Sequence, residues 1–349
     1  MSDNIAVASS APPPSAGQES GATALPVSAP SAGPGEPVGS VARSAVSPET
    51  APPKGASGIA ALIPILLMPV VAGFSVLSVQ TYLGLGVRFL PLIMVAALAL
   101  IIYALNGLSD RAEDGHNNPQ LAAAATRYSI PVLVIASAAL CSSALLLAKQ
   151  GRLHPGYGMV LVAGIVYSFR LVPWPGHGGK ALAWVRLKDL LLIKNVTIGA
   201  TWASAVFLLP LIDGNATADS GIRSGMPFWV LMASYGLAVT INSIFCDMED
   251  RPGDAAAGIV TLAVRLGNEK CGHLVWAVAG LWTILLALIH LGPGWLDFDH
   301  FAFLACFTLA YPLVIIGGSR SGYLRAGVRR YAIESSDVLF AVGLLLLSA

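Results

Sequence analysis

Two groups of carboxylate side chains follow apolar runs, at the points where membrane helices would end. The first group follows residues 90–105, and the second follows residues 228–240. They are Asp110 and Asp114 in the first group and Asp247, Asp250 and Asp254 in the second. Charged groups at the edge of a hydrophobic segment are unfavourable unless they have a partner. Because carboxylates four residues apart project from one face of a helix, each group suits a hard divalent cation, with coordination positions left for water and a phosphorylated substrate.

The composition of the chain is that of an integral membrane protein. Of its 349 residues, 55% are hydrophobic and only 11% are charged, and the mean hydropathy is +0.72, far from the averages of soluble domains. The formal net charge of +1 and the dispersed basic residues exclude a nucleic-acid-binding surface. The four cysteines show no metal-ligand spacing, and we interpret them as small buried side chains.

The chain divides into a polar tail and a helical membrane domain. Residues 1–56 are dominated by Ala, Pro, Ser and Gly, a composition that predicts disorder. Residues 57–349 carry successive apolar runs that are too long for barrel strands, so we predict an all-α polytopic bundle of nine transmembrane helices. The predicted helices are Ile59–Val79, Phe89–Leu105, Ile130–Ala148, Tyr157–Phe169, Leu190–Ile212, Phe228–Phe245, Gly272–Leu291, Phe301–Gly318 and Ser336–Ala349.

The basic residues predict the orientation of the bundle. Most Lys and Arg residues lie in the connections after the second, fourth, sixth and eighth predicted helices. The positive-inside rule therefore predicts that these connections and the amino terminus are cytoplasmic. Both carboxylate groups follow even-numbered helices, so we expect them on one face of the membrane.

A shared face makes one diphosphate site possible. The connection after the fourth helix contributes the densest set of cations, among them Arg186, Lys188 and Lys194. Carboxylates that hold Mg²⁺, with Lys and Arg beside them, are suited to binding a diphosphate. The apolar bundle behind such a site would hold a hydrocarbon chain, and this combination indicates a prenyl diphosphate substrate at the lipid bilayer.

Two motifs and a following segment carry a resemblance to a known family. The matching residues are Asn106, Asp110 and Asp114, then Asp247, Asp250 and Asp254, and then residues 258–267. In the same order, these three sets resemble three motifs of the UbiA-type intramembrane prenyltransferases: Asn-Asp-x-x-Asp-x-x-x-Asp, Asp-x-x-Asp-x-x-x-Asp and Gly-x-x-Thr-Leu-x-Val-x-x-Gly. The resemblance extends over roughly residues 58–349. One position departs from the first motif, because Gly107 stands where the family has Asp.

The resemblance implies an enzyme that ionises a prenyl diphosphate with Mg²⁺ and transfers the prenyl group to an aromatic or other lipophilic acceptor. It implies that Asn106, Asp110 and Asp114 bind one metal and that the second motif binds the other. It further implies that Arg170, Lys188 and Lys194, together with Asn106, hold the diphosphate. Tyr167 is expected near the reacting carbon, where an aromatic face stabilises a carbocation.

Alternatives remain open at this point. Acidic residues in a single loop are commonly only solvated, and basic loop residues commonly only set topology. A terpene cyclase of the same family would use the same diphosphate site, and an ion-coupled transporter would instead place carboxylates inside its helices. Asp337 opens the last predicted helix, where an interaction with the helix dipole explains it without chemistry.

Overall fold

The computed structural model describes residues 63–110, 115, 119–175, 183–213, 225–256, 258–320, 332–333 and 335–348. The predicted disordered tail, residues 1–56, lies outside these ranges. The described residues are mostly helical and include one two-stranded antiparallel hairpin, in which Pro173 pairs with Trp184. The elements are α1 (Ile63–Tyr82), α2 (Phe89–Ser109), α3 (Pro119–Lys149), α4 (Gly156–Ser168), β1 (Val172–Trp174), β2 (Ala183–Val185), α5 (Leu191–Ala203), α6 (Leu209–Asp213), α7 (Met226–Ala256), α8 (Leu262–Leu266), α9 (Asn268–Leu291), α10 (Phe298–Arg320) and α11 (Ser336–Ser348).

The all-α membrane fold predicted from the apolar runs is confirmed. Within the described ranges, seven helical segments are long and apolar enough to cross a membrane, with α5, its continuation and α6 forming one of them. The helices α4 and α11 are apolar but shorter. The exact count of nine spanning helices therefore stays a prediction.

Two helix ends determine where the acidic motifs lie. Helix α2 ends at Ser109, and Asp110 leaves helical geometry with φ −106° and ψ 10°. Helix α7 continues past Phe245, where the predicted helix ends, as far as Ala256. The whole second motif is therefore helical, whereas the first begins at a helix terminus. The expectation that Asp110 continues α2 is wrong for Asp110 itself, and Asp114 lies outside the described residues.

Helices α5 and α7 pack closely through two glycines. A Cβ added to Gly199 would lie 2.2 Å from the backbone oxygen of Gly236, a separation that no side chain allows. Small residues at such a crossing let two membrane helices approach until their backbones touch. The crossing fixes the register of α5 against α7 and so sets which of their side chains meet one turn further along.

An aromatic cluster forms part of the bundle core. The chain runs from α5 into α6 through one π-helical turn, Ser204–Leu208, which carries the fully buried Phe207. Its ring lies 5.6 Å from those of Phe228 and Tyr235, and the Tyr235 ring lies 5.2 Å from that of Phe340. Tilted and edge-on pairs of this kind contribute about 0.5–1.5 kcal/mol each beyond their buried area. They link the π-helical turn to α7 and α11.

Candidate functional site

A cavity of about 290 Å³ collects the acidic residues of both motifs. Its walls come from α1 to α5, from α7 and from the start of α11, together with the turn that precedes α5. Four of its lining residues are the predicted carboxylate ligands Asp110, Asp247, Asp250 and Asp254. Carboxylates more than a hundred residues apart in the chain therefore face one cavity.

The first carboxylate, Asp110, is buried and held by three neighbours. The Ser109 hydroxyl donates a hydrogen bond of 2.7 Å to its Oδ1, and Lys188 Nζ forms an ion pair with the same oxygen. Arg186 Nη1 lies 3.7 Å away. Three cationic or hydroxyl donors compensate the cost of burying this charge.

The turn that carries Lys188 is itself fixed by an ion pair. Residues Leu187–Asp189 form one turn of 3₁₀ helix. At its start, the Arg186 backbone N–H donates to Asp189 Oδ2 at 3.1 Å, and the Arg186 guanidinium contacts Asp189 at 2.9–3.2 Å. Because both ends of the turn are tied together, Lys188 is held pointing at Asp110.

The second motif is anchored by the close crossing of α5 and α7. One turn before Gly199, Asn195 Nδ2 donates to Ser243 Oγ at 2.9 Å and to Asp247 Oδ2 at 3.1 Å. The adjacent Lys194 Nζ forms an ion pair with Asp247 Oδ1. Each acidic motif therefore meets one lysine from the chain between them.

The remaining carboxylates of the second motif extend along one face of α7. Asp250 and Asp254 follow Asp247 by three and seven residues, which places all three on one helix face, and all three line the cavity. The chain then turns at Gly258, whose φ is +72°. The backbone N–H of Ile259 donates to the Asp254 carbonyl oxygen at 2.8 Å.

The segment that follows the second motif has a structural explanation. Gly258 and Gly267 both adopt a positive φ, +72° and +83°, which favours glycine. Between them, Thr261 caps α8, because its side chain accepts a hydrogen bond from the Val264 N–H at 3.3 Å. The Gly, Thr and Gly of the third motif thus shape the return of the chain from the cavity.

Most of the predicted site residues that the structure describes converge on the cavity, and Arg170 does not. The lining includes Asn106, Asp110, Tyr167, Lys188, Lys194, Asp247, Asp250 and Asp254. Asp114 lies outside the described residues. Arg170 is exposed and does not line the cavity. The chain becomes extended at Phe169, with φ −115° and ψ 155°, and this leads Arg170 away from the cavity toward the hairpin.

The donor atoms of the cavity fit a hard divalent cation. The described ligands are carboxylates together with Asn106, whose buried Oδ1 has no hydrogen-bond partner. Oxygen donors are those that Mg²⁺ prefers, and it commonly binds through one or two carboxylates, water and substrate phosphates. Within the described ranges, no three His, Cys, Asp or Glu residues cluster closely enough to hold a metal by themselves.

The glycine that departs from the first motif lies at a close helix contact. A Cβ at Gly107 would lie 3.1 Å from the Cβ of Ala125 on α3 and 3.8 Å from Ser129 Oγ. The position therefore lies against α3, and a side chain there would require its neighbour to shift by a few tenths of an ångström. The departure from the motif matches the tight packing of α2 on α3.

Sequence reasoning missed two residues that line the same cavity. Asp337, predicted only to favour a helix start, lines the cavity with 2% of its surface exposed. Asn242, five residues before Asp247, also lines the cavity and contacts Asp337. Asn242 lies about 140° around the helix from Asp247, so its spacing from the second motif gave no signal in the sequence.

Comparison with known proteins gives one family. The UbiA prenyltransferase family model matches residues 66–329. A digeranylgeranylglyceryl phosphate synthase of Methanosarcina mazei is 34% identical over 101 residues, which are 29% of this chain and 32% of that relative. The chain thus matches only about a third of that relative's length.

Solved structures share the fold at low sequence identity. A UbiA homolog from Archaeoglobus fulgidus bound to GPP and Mg²⁺ has a TM-score of 0.56 and 16% identity, and the match covers 83% of this chain and 99% of that one. An apo UbiA homolog from Aeropyrum pernix K1 has a TM-score of 0.54 and 17% identity, with 79% and 97% covered. The chain therefore shares its helical fold with these UbiA homologs.

Proposed function

The chain belongs to the UbiA prenyltransferase family, and from this premise we propose that it is a Mg²⁺-dependent membrane prenyltransferase. The proposed enzyme ionises a prenyl diphosphate and joins the prenyl group to an aromatic or other lipophilic acceptor. The observation that carries the proposal is the meeting of Asp110 with the α7 carboxylates and two lysines in one cavity. Solved UbiA homologs bound to GPP or DMAPP with Mg²⁺ support this assignment.

The diphosphate head is proposed to lie between the two acidic motifs. Asn106, Asp110 and Asp114 would hold one Mg²⁺, and Asp247, Asp250 and Asp254 the other. The bound ions would neutralise the diphosphate and help it leave. Lys188 and Lys194 would exchange part of their contact with the carboxylates for the diphosphate oxygens, which lysine binds as a point charge.

The hydrocarbon tail is proposed to follow the apolar wall of the cavity. Ile102, Ile198, Trp202 and Val239 line this wall. A second, almost wholly apolar cavity of about 40 Å³ shares Ile102 and Trp202 with the first and extends between α2, α4 and α5. A chain that extends from the diphosphate site in this direction would meet mainly apolar side chains, which matches a prenyl group.

Tyr167 is proposed to assist ionisation. It lines the cavity with both lysines, and an aromatic face beside the allylic carbon stabilises positive charge that develops as the carbon–oxygen bond breaks. Arg170 is left out of the proposed diphosphate site because it is exposed outside the cavity. The mouth of the cavity is proposed to face the cytoplasm, as the distribution of Lys and Arg predicts.

Diphosphate release tests this function. Purified full-length protein would be supplied with geranyl diphosphate and a panel of lipophilic acceptors, and released diphosphate would be measured with Mg²⁺ and with excess chelator. We expect diphosphate release to depend on Mg²⁺. In Asp110→Asn and in Asp250→Asn the release rate should fall by about a hundredfold or more, because each variant loses several kcal/mol of charge stabilisation in the transition state.

The matched control is Asp297→Asn, which alters an aspartate that does not line the cavity. It is expected to release diphosphate at the wild-type rate. Undiminished release in Asp110→Asn or Asp250→Asn would refute the metal assignment. An assay without acceptor separates transfer from cyclisation, because only a cyclase releases a hydrocarbon from the diphosphate alone.

A further inference from the structure

A second polar group faces the cavity from the start of α11. Asp337 and Asn242 both line the cavity and both are buried. Asn242 Nδ2 donates to Ser336 Oγ at 2.7 Å and lies 3.3 Å from Asp337 Oδ1. Ser336 Oγ in turn donates to the Ile333 carbonyl oxygen at 2.9 Å. The amide and the carboxylate are thus held together by contacts between α7 and α11.

This group includes one hydrogen-bond acceptor that the described protein does not use. The Asn242 Oδ1 atom is buried without a partner. Among the described Lys, Arg and His side chains, none forms an ion pair with Asp337. A buried acceptor without a donor is costly, and a buried carboxylate without a cation more so. Asn242 therefore has an unpaired acceptor beside a buried carboxylate in the wall of the cavity.

The placement of the group sets it apart from the proposed diphosphate site. Asn242 precedes Asp247 by five residues on α7, which is about 7.5 Å along the helix axis. The paired lysines contact Asp110 and Asp247 rather than this end of the cavity. A ligand at Asp337 would share the cavity with a bound diphosphate without competing for its cations.

We propose that Asp337 and Asn242 bind the polar head of the acceptor, and that this head is a neutral hydroxyl. A hydroxyl donates to the carboxylate or to Asn242 Oδ1 and supplies the missing partner. A carboxylate or phosphate head would meet the charge of Asp337 with no described cation to offset it. Asp337 is then a specificity-determining residue. The assignment rests on the proposed prenyl transfer, since it names the second substrate of that site.

Binding of three matched probes tests the assignment. Purified full-length protein would be titrated calorimetrically with 4-decylphenol, 4-decylanisole and 4-decylbenzoate, which share one chain and differ in the head. We expect the wild type to bind the phenol with at least about tenfold higher affinity than the other two probes, because only the phenol donates a hydrogen bond to a charged group. In Asp337→Asn, the phenol should bind about tenfold weaker and the benzoate tighter.

A structural role for Asp337 predicts a different pattern. If Asp337 only stabilised the start of α11, its replacement would lower the unfolding temperature and weaken all three probes equally. Asn242→Leu provides a second variant, in which the phenol preference should also fall. Asp297→Asn, at the start of α10 and outside the cavity, is the matched control and should keep the wild-type preference.

Two results would overturn the assignment. One is equal affinity of the wild type for the three probes, and the other is an unchanged phenol preference in folded Asp337→Asn. Diphosphate release by the wild type is measured in a separate assay, and its absence would refute prenyl transfer. The role of Asp337 is decided only by the relative affinities for the three probes.

Discussion

Replacing Asp247 with Ala should destabilise the protein as well as inactivate it. The Asp247 and Lys194 side chains are only 5% and 15% exposed, so the substitution leaves a buried ammonium group without its counter-charge. Removing one partner of such a pair costs about 3–5 kcal/mol. Asn195 loses one acceptor but keeps Ser243 Oγ at 2.9 Å. The free energy of unfolding would be measured in mixed micelles by denaturant titration.

A double variant separates stability from function. In Asp247→Leu with Lys194→Met, two apolar side chains replace the pair, a change that is often neutral for stability. We expect it to regain at least about 2 kcal/mol over Asp247→Ala, while diphosphate release stays absent. The control Asp297→Ala breaks a pair whose carboxylate is 61% exposed and removes the cap to the His300 N–H at the start of α10, and should cost about 1–2 kcal/mol. An Asp247→Ala protein as stable as the wild type, or a double variant no more stable than the single one, would refute the reasoning.

Three further substitutions test the packing and the proposed chemistry. Gly107→Asp should lower the free energy of unfolding by about 1–3 kcal/mol, because its Cβ would lie 3.1 Å from that of Ala125. Adding Ala125→Gly should restore most of this stability. A double variant that regains no stability would contradict the contact. Gly199→Ala should be strongly destabilising, whereas the control Gly280→Ala, with open space around its added Cβ, should be neutral or stabilising in the same unfolding assay. Tyr167→Phe should release diphosphate at a rate within about threefold of the wild type. Tyr167→Leu, which lacks the aromatic face, should release it about 5- to 30-fold more slowly. Equal rates in the two variants would contradict the proposed role of the aromatic ring.

The elements of the fold were largely predictable because membrane helices are specified by continuous apolar sequence. The runs placed α1, α2, α9 and α10 within a few residues of their observed ends. The end of α7 was predicted wrongly at Phe245, because hydropathy falls there while the helix continues through polar residues to Ala256. Polar residues can continue a helix beyond the membrane, and an apolar pattern does not record this.

The candidate site was predictable where residue type and spacing carry the signal. The carboxylates of the second motif and Lys194 are such residues, and they converge on one cavity. Arg170 was selected by the same reasoning, but the extended backbone at Phe169 leads it away. Asp337 was missed because its burial depends on contact with Asn242 of a distant helix. Local sequence around Asp337 shows only a helix start.

The tight packing at two glycines depends on tertiary contacts that no local pattern contains. Gly199 faces Gly236 across the crossing of α5 and α7, and Gly107 faces Ala125 across α2 and α3. A glycine in a membrane helix has no spacing rule that identifies its partner. The loss of the motif carboxylate at Gly107 could therefore be seen in the sequence, but its packing explanation required the structure.

The most direct test of the central claim is a titration of the protein with geranyl S-thiolodiphosphate, a substrate analogue with a poor leaving group. If Asp110 and the α7 carboxylates share one metal–diphosphate site, binding should require Mg²⁺ and should weaken by about tenfold or more in Asp110→Asn and in Asp250→Asn alike. Binding of equal affinity without Mg²⁺, or full affinity in either variant, would contradict the claim that carboxylates from α2 and α7 act as one site.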